Sequence, residues 1–107
     1  MIRHVVMWQL KEYAQDRTKE ENLKYIKEKM EALPEQIDCL LSMEVNFNIN
    51  DKPGMFDAVA VSTFKSLRDI TKYRLHPAHK YITEYIALVR DGRASVDYAF
   101  DENDQSF

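Results

Sequence analysis

The chain has one cysteine, two glycines and three prolines in 107 residues. Cys39 has no partner within the chain, so no internal disulfide can form and nothing points to an oxidising compartment. So little glycine and proline excludes a low-complexity or loop-rich chain. There is no Gly-rich phosphate loop, no dinucleotide fingerprint and no nucleophile elbow, which removes the common nucleotide-binding and serine-hydrolase readings. No apolar run approaches the ~20 residues of a membrane-crossing helix. The apolar start, residues 1–8, also lacks a small-residue cleavage site, so no secretory leader is expected and the cytoplasm is the default location. A net charge of −3 is mild and dispersed, which argues against nucleic acid or an anionic membrane as partner.

Hydrophobic residues make up 45% of the chain, enough for a core, and 107 residues suit one domain. A domain of this size buries a smaller share of its surface than a larger one, so self-association would add burial. The domain is expected over residues 1–100, with the acidic stretch 101–107 a disordered tail.

Residues 2–10 read as a strand. Ile2, His4, Val6, Trp8 and Leu10 face one way; Arg3, Val5, Met7 and Gln9 face the other. A polar connection over 11–17 leads to Thr18, a helix N-cap completed by Glu21 as a capping box. Leu23, Ile26, Met30 and Leu33 then form one apolar stripe, and Pro34 stops the helix. Residues 41–49 alternate strictly, with Leu41, Met43, Val45, Phe47 and Ile49 on one side. The cluster Asn50-Asp51-Lys52-Pro53-Gly54 reverses the chain into a third strand near 57–64. Ser66 and Asp69 cap a short helix, and Pro77 opens another, where its missing N–H costs nothing. Asp91-Gly92 ends that helix, and 93–100 is the last strand. The order is β-α-β-β-α-β, an α+β ferredoxin-like plan with a four-stranded antiparallel sheet.

Helices on one face of this sheet leave the other face bare. Val5 and Met7 lie on that face, and sheets covered on one side only usually alternate apolar and polar residues cleanly. An apolar patch there marks an interface, and a twofold-related second copy is the economical cover. A homodimer through the sheet face is therefore expected.

With these elements placed, the sequence resembles the stress-responsive A/B-barrel domain family, often called Dabb, over nearly all of residues 1–100. The resemblance is carried by Ile2-Arg3-His4-Val5-Val6-Met7-Trp8, by Tyr73-Arg74-Leu75-His76-Pro77-Ala78-His79 and by Arg93-Ala94-Ser95-Val96-Asp97-Tyr98. It implies a ferredoxin-like protomer and a homodimer whose two sheets make a dimeric α/β barrel. It implies little about activity. Many members have no assigned reaction, and some plant members are stress-induced. One plant polyketide cyclase of the family closes a β-polyketide thioester by aldol chemistry. Its catalytic tyrosine and histidine match Tyr73 and His79, and its first-strand histidine matches His4. Trp8 departs from that enzyme, which has a smaller aliphatic residue there; an indole takes volume that a long acyl chain would need.

Residue chemistry gives the same three candidates their roles. An imidazole titrating near neutrality can remove and return an acidic C–H proton, which suits His79. Tyr73 can donate a hydrogen bond to the enolate oxygen that develops. His4 would orient His79 or a substrate carbonyl. The plainer alternative is that all three are buried polar groups with protein partners. His76 reads as a helix cap and Cys39 as packing. The three histidines lack a metal-binding spacing, and no metal or cofactor is expected. Tyr25, Tyr81, Tyr85 and Trp8 suit core packing or an aromatic pocket. Three functions stay open: a cofactor-independent cyclase or lyase acting on a small carbonyl compound, a non-enzymatic stress-associated dimer or small-ligand binder, and a cofactor-independent monooxygenase.

Overall fold

A computed structural model describes residues 1–101; most of the tail expected at 101–107 lies outside the described residues. Strand β1 (Ile2–Leu10) is followed by two-residue strands β2 (Tyr13–Ala14) and β3 (Arg17–Thr18), then helix α1 (Lys19–Glu31) and a short 3-10 turn (Leu33–Glu35). Strands β4 (Ser42–Phe47) and β5 (Ala58–Phe64), helices α2 (Leu67–Leu75) and α3 (Pro77–Val89) and strand β6 (Arg90–Ala99) complete the chain. The four long strands form one antiparallel sheet in the order β4-β5-β1-β6, as the ferredoxin-like plan requires.

Helix α1 begins where its capping chemistry dictates. Thr18 Oγ1 accepts from the Glu21 N–H at 3.2 Å, and Glu21 Oε1 accepts from the Thr18 N–H at 3.0 Å. Each bond satisfies an amide that the helix itself leaves unpaired. Thr18→Ala should therefore lower stability by about 1 kcal/mol. A shift of the urea midpoint with an unchanged slope is the check; no shift would mean the cap is energetically idle.

The helix side of the sheet is the core. Val6, Trp8 and Leu10 from β1, Met43 and Val45 from β4 and Ala58, Ala60 and Phe64 from β5 are buried against Ile26, Met30, Ile82 and Ile86. On the opposite face Val5 lies between Val61 and Val96, and Met7 between Val59 and Ala94. Met7 keeps 36% and Val96 56% of its surface exposed. Both sides of the sheet are thus apolar, and the chain's own helices cover one.

Four local expectations change. The connection over 11–17 is a hairpin whose tip residues, Gln15 and Asp16, take φ of 54° and 60°, the left-handed geometry of a two-residue turn. Side chains pin it down: Arg17 lies over the Tyr25 ring at 4.4 Å, and Asn22 Nδ2 donates to the Ala14 carbonyl at 3.2 Å. The strand expected over 41–49 is shorter, because Ile49 stands clear of the sheet despite its alternating place. The last strand starts at Arg90, directly after α3. Gly92 is inside it, paired with Gln9 of β1, so it is a strand residue and does not end the helix. Finally, the four aromatics make no common pocket: Trp8 is in the core, Tyr25 packs on Tyr85 at 4.8 Å, and Tyr81 is exposed.

No helix among the described residues is long and apolar enough to cross a membrane.

Candidate active site

Sheet register sets the first part of the site. His4 points to the helix side of β1, opposite Ser62 on β5 and Asp97 on β6. It is only 5% exposed. The Asp97 carboxylate accepts from the His4 Nδ1–H, and the Ser62 hydroxyl donates to the His4 carbonyl at 3.2 Å. Binding through Nδ1 leaves His4 Nε2 facing away from the carboxylate. A hydrogen bond to a charged acceptor, discounted for Asp97's part exposure, is worth about 1–2 kcal/mol. Asp97→Ala should lose that much in thermal denaturation, and an unchanged melting temperature would contradict the pairing.

The break between α2 and α3 sets the second part. His76 caps α3 with its own ring, Nδ1 accepting from the Ala78 N–H at 3.1 Å. This fixes the angle at which α3 departs and places His79, in its first turn, beside Tyr73 in the last turn of α2. Their ring centroids are 4.2 Å apart. Tyr73 also packs on Phe64 at 5.1 Å and lies edge-on to His4 at 6.5 Å. The three candidates read from the sequence are thus brought into one cluster from three elements.

The protonation states follow from the partners. A backbone carbonyl only accepts, so the 3.3 Å contact of His79 Nδ1 with the Arg74 carbonyl puts the proton on Nδ1 and the lone pair on Nε2. Burial is the main cause lowering the His79 pKa from 6.5 to about 4; the hydrogen bond to the Arg74 carbonyl opposes it, and the positive charges of Arg74 and Arg93 add to it. The ring is neutral at pH 7 and able to accept a proton. Burial pushes the Tyr73 phenol above its ordinary value, so it stays a donor. Tyr73 is 1% exposed, yet its hydroxyl has no hydrogen-bond partner among the described residues and is not sealed from solvent. A buried phenol with an unspent O–H beside a neutral imidazole can hold an oxyanion while the imidazole moves a proton.

Asp97 was not among the residues singled out in the sequence. It belongs to the β6 set Arg93, Ser95 and Asp97, which pairs with Trp8, Val6 and His4 on the face turned to the helices. Cys39 is confirmed as packing: its thiol donates to the Asp69 carbonyl at 3.3 Å, and burial raises its pKa. No group of three or more His, Cys, Asp or Glu that could hold a metal ion occurs among the described residues.

The sheet order, the two-piece second helical region and the histidine–tyrosine cluster define an α+β protein of ferredoxin-like topology with a polar site between sheet and helices. The chain belongs to the stress responsive A/B barrel domain family, Dabb, which it matches over residues 2–100. A dimeric protein of unknown function and ferredoxin-like fold from Bacteroides fragilis is 33% identical, at a TM-score of 0.78, covering 92% of this chain and 95% of that one. A dimeric ferredoxin-like protein of unknown function from Thermobifida fusca is 20% identical (TM-score 0.76, covering 92% and 90%). The hydroxynitrile lyase from Passiflora edulis is 15% identical (TM-score 0.77, covering 95% and 94%) and shares the fold. No curated protein matches the chain.

Proposed function

We propose that this protein is a homodimer, closed through its apolar sheet faces, that performs cofactor-independent acid/base chemistry of the cyclase or lyase type on a small carbonyl compound. The carrying observation is the unspent Tyr73 hydroxyl beside the neutral His79 ring. His79 Nε2 removes a proton from the carbon next to a carbonyl. The C–H electron pair becomes the new C=C bond as the carbonyl π pair moves onto oxygen. Tyr73 donates to that enolate oxygen, and His79 returns the proton at the end of the cycle. His4, held by Asp97, is a positioning residue or a second contact to the substrate.

The Tyr-x-x-His-Pro-Ala-His segment supports this reading, since it resembles that of olivetolic acid cyclase, the plant polyketide cyclase of the family. Trp8, buried in the core, narrows the substrate to something smaller than a long-chain polyketide. The dimer is supported by the apolar face around Val5 and Met7 and by similar proteins described as dimeric. The reading takes residues 1–100 as one domain working in the cytoplasm.

The pH profile tests it. The basic form of His79 is present above its pKa of about 4 and is lost as pH falls through that value. Protein-catalysed deuterium exchange into methyl acetoacetate should be level from about pH 8 to 5 and fall below that, whereas a solvated histidine would inflect near 6.5. An inflection near 6.5 would contradict the half-buried base.

The closed packing favours a second reading. The rings of His4, Phe64, Tyr73 and His79 stand 4.2–6.5 Å apart in a chain, and the four surface cavities described are lined by other residues. A non-enzymatic stress-associated dimer would show no catalysed exchange, and His79 variants would change stability alone.

A further inference from the structure

A groove of about 110 Å³ runs between α3 and the edge strand β6. Val6 and Trp8 line it from the sheet, Thr83 and Ala87 from α3, and Arg90 and Arg93 from β6. His4 of the histidine cluster lies two residues before Val6 on the same face of β1. His79 lies one turn before Thr83, whose hydroxyl donates to the His79 carbonyl at 3.0 Å. On β6, Arg93, Ser95 and Asp97 alternate along the helix side, opposite Trp8, Val6 and His4.

The charges along this strand are unequally matched. Asp97 is taken up by His4. Neither Arg90 nor Arg93 makes an ion pair among the described residues. Arg93 Nη1 donates to Ser95 Oγ at 3.3 Å, which lays the guanidinium along the strand on the side of Asp97. Its charge also lowers the His79 pKa. A guanidinium is a planar fork that matches the two oxygens of a carboxylate.

We propose that Arg93, with Arg90 behind it, binds a carboxylate of the substrate in the α3–β6 groove, so that the substrate is a small carbonyl compound bearing a carboxylate. The span allows only a short molecule: His79 to Ala87 is two helical turns, about 12 Å, and the Arg93 side chain covers part of it. This rests on the acid/base reading for where the reacting carbon sits, although the anion site can be measured by itself.

The test titrates the full ¹⁵N-labelled chain with sodium acetoacetate and with methyl acetoacetate, which differ by the charge. Acetoacetate should bind at least about tenfold more tightly than the ester and shift the Arg93 Nε–H signal. Arg93→Gln should weaken acetoacetate binding by about tenfold or more, with Arg93→Lys between, as expected for a charge-assisted forked contact. Equal affinity for the two compounds, or unchanged acetoacetate binding by Arg93→Gln, would overturn the site. Charge-selective binding without catalysed deuterium exchange would uphold the anion site and defeat the acid/base reading. Exchange into the ester without preference for the acid would do the reverse.

Discussion

His79→Gln is expected to lower protein-catalysed deuterium exchange into methyl acetoacetate by about 100-fold or more, since a positioned general base contributes about 10²–10⁴ in rate. Glutamine is chosen because its amide can still donate to the Arg74 carbonyl, which His79 Nδ1 meets at 3.3 Å, so α2 and α3 should keep their junction. What is lost is the lone pair on Nε2. Tyr73→Phe should cost about 100-fold by a different route, removing the single O–H aimed at the oxyanion while keeping the ring that packs on Phe64 at 5.1 Å. The double variant should lose much less than the product of the two, because base and oxyanion donor act in one step. Exchange unchanged by His79→Gln, with circular dichroism showing an intact fold, would remove the catalytic assignment and leave the non-enzymatic reading.

Val96→Asp is expected to weaken self-association by about a thousandfold or more. Val96 is 56% exposed on the open sheet face, so a carboxylate there costs the isolated protomer little. In a twofold dimer each substitution appears twice in one interface. A charge left unpaired in an apolar contact costs several kcal/mol, and about 1.4 kcal/mol is tenfold in affinity. Leu67→Glu is the control: Leu67 is as exposed, but on the helix side, where no contact between copies is proposed. Equal dissociation by both variants would place the interface elsewhere.

Much of the fold was legible because it rests on local chemistry. Thr18 and Glu21 announce the start of α1, Pro77 that of α3, and the alternation of Met43 and Val45 the inner face of β4. The two-sided apolar character of β1 was visible in Val5 and Met7 before any partner strand was known. Register was not legible. Asp97 reaches His4 only because β6 lies beside β1, bringing together residues 93 positions apart. Gly92 carries the signature of a helix stop, yet it lies inside β6, paired with Gln9 on the neighbouring strand. The same holds for the site: the Tyr73–His79 pairing follows from short-range spacing, whereas the Asp97 and Arg93 ends of β6 depend on how the sheet is assembled.

Sedimentation equilibrium of the unmodified protein across a wide concentration range tests the central claim, that the second apolar face of the sheet is covered by another copy. A species of twice the 12.7 kDa chain mass, persisting at micromolar concentration, is the predicted result. A monomer that stays soluble and folded at the highest concentration would contradict it.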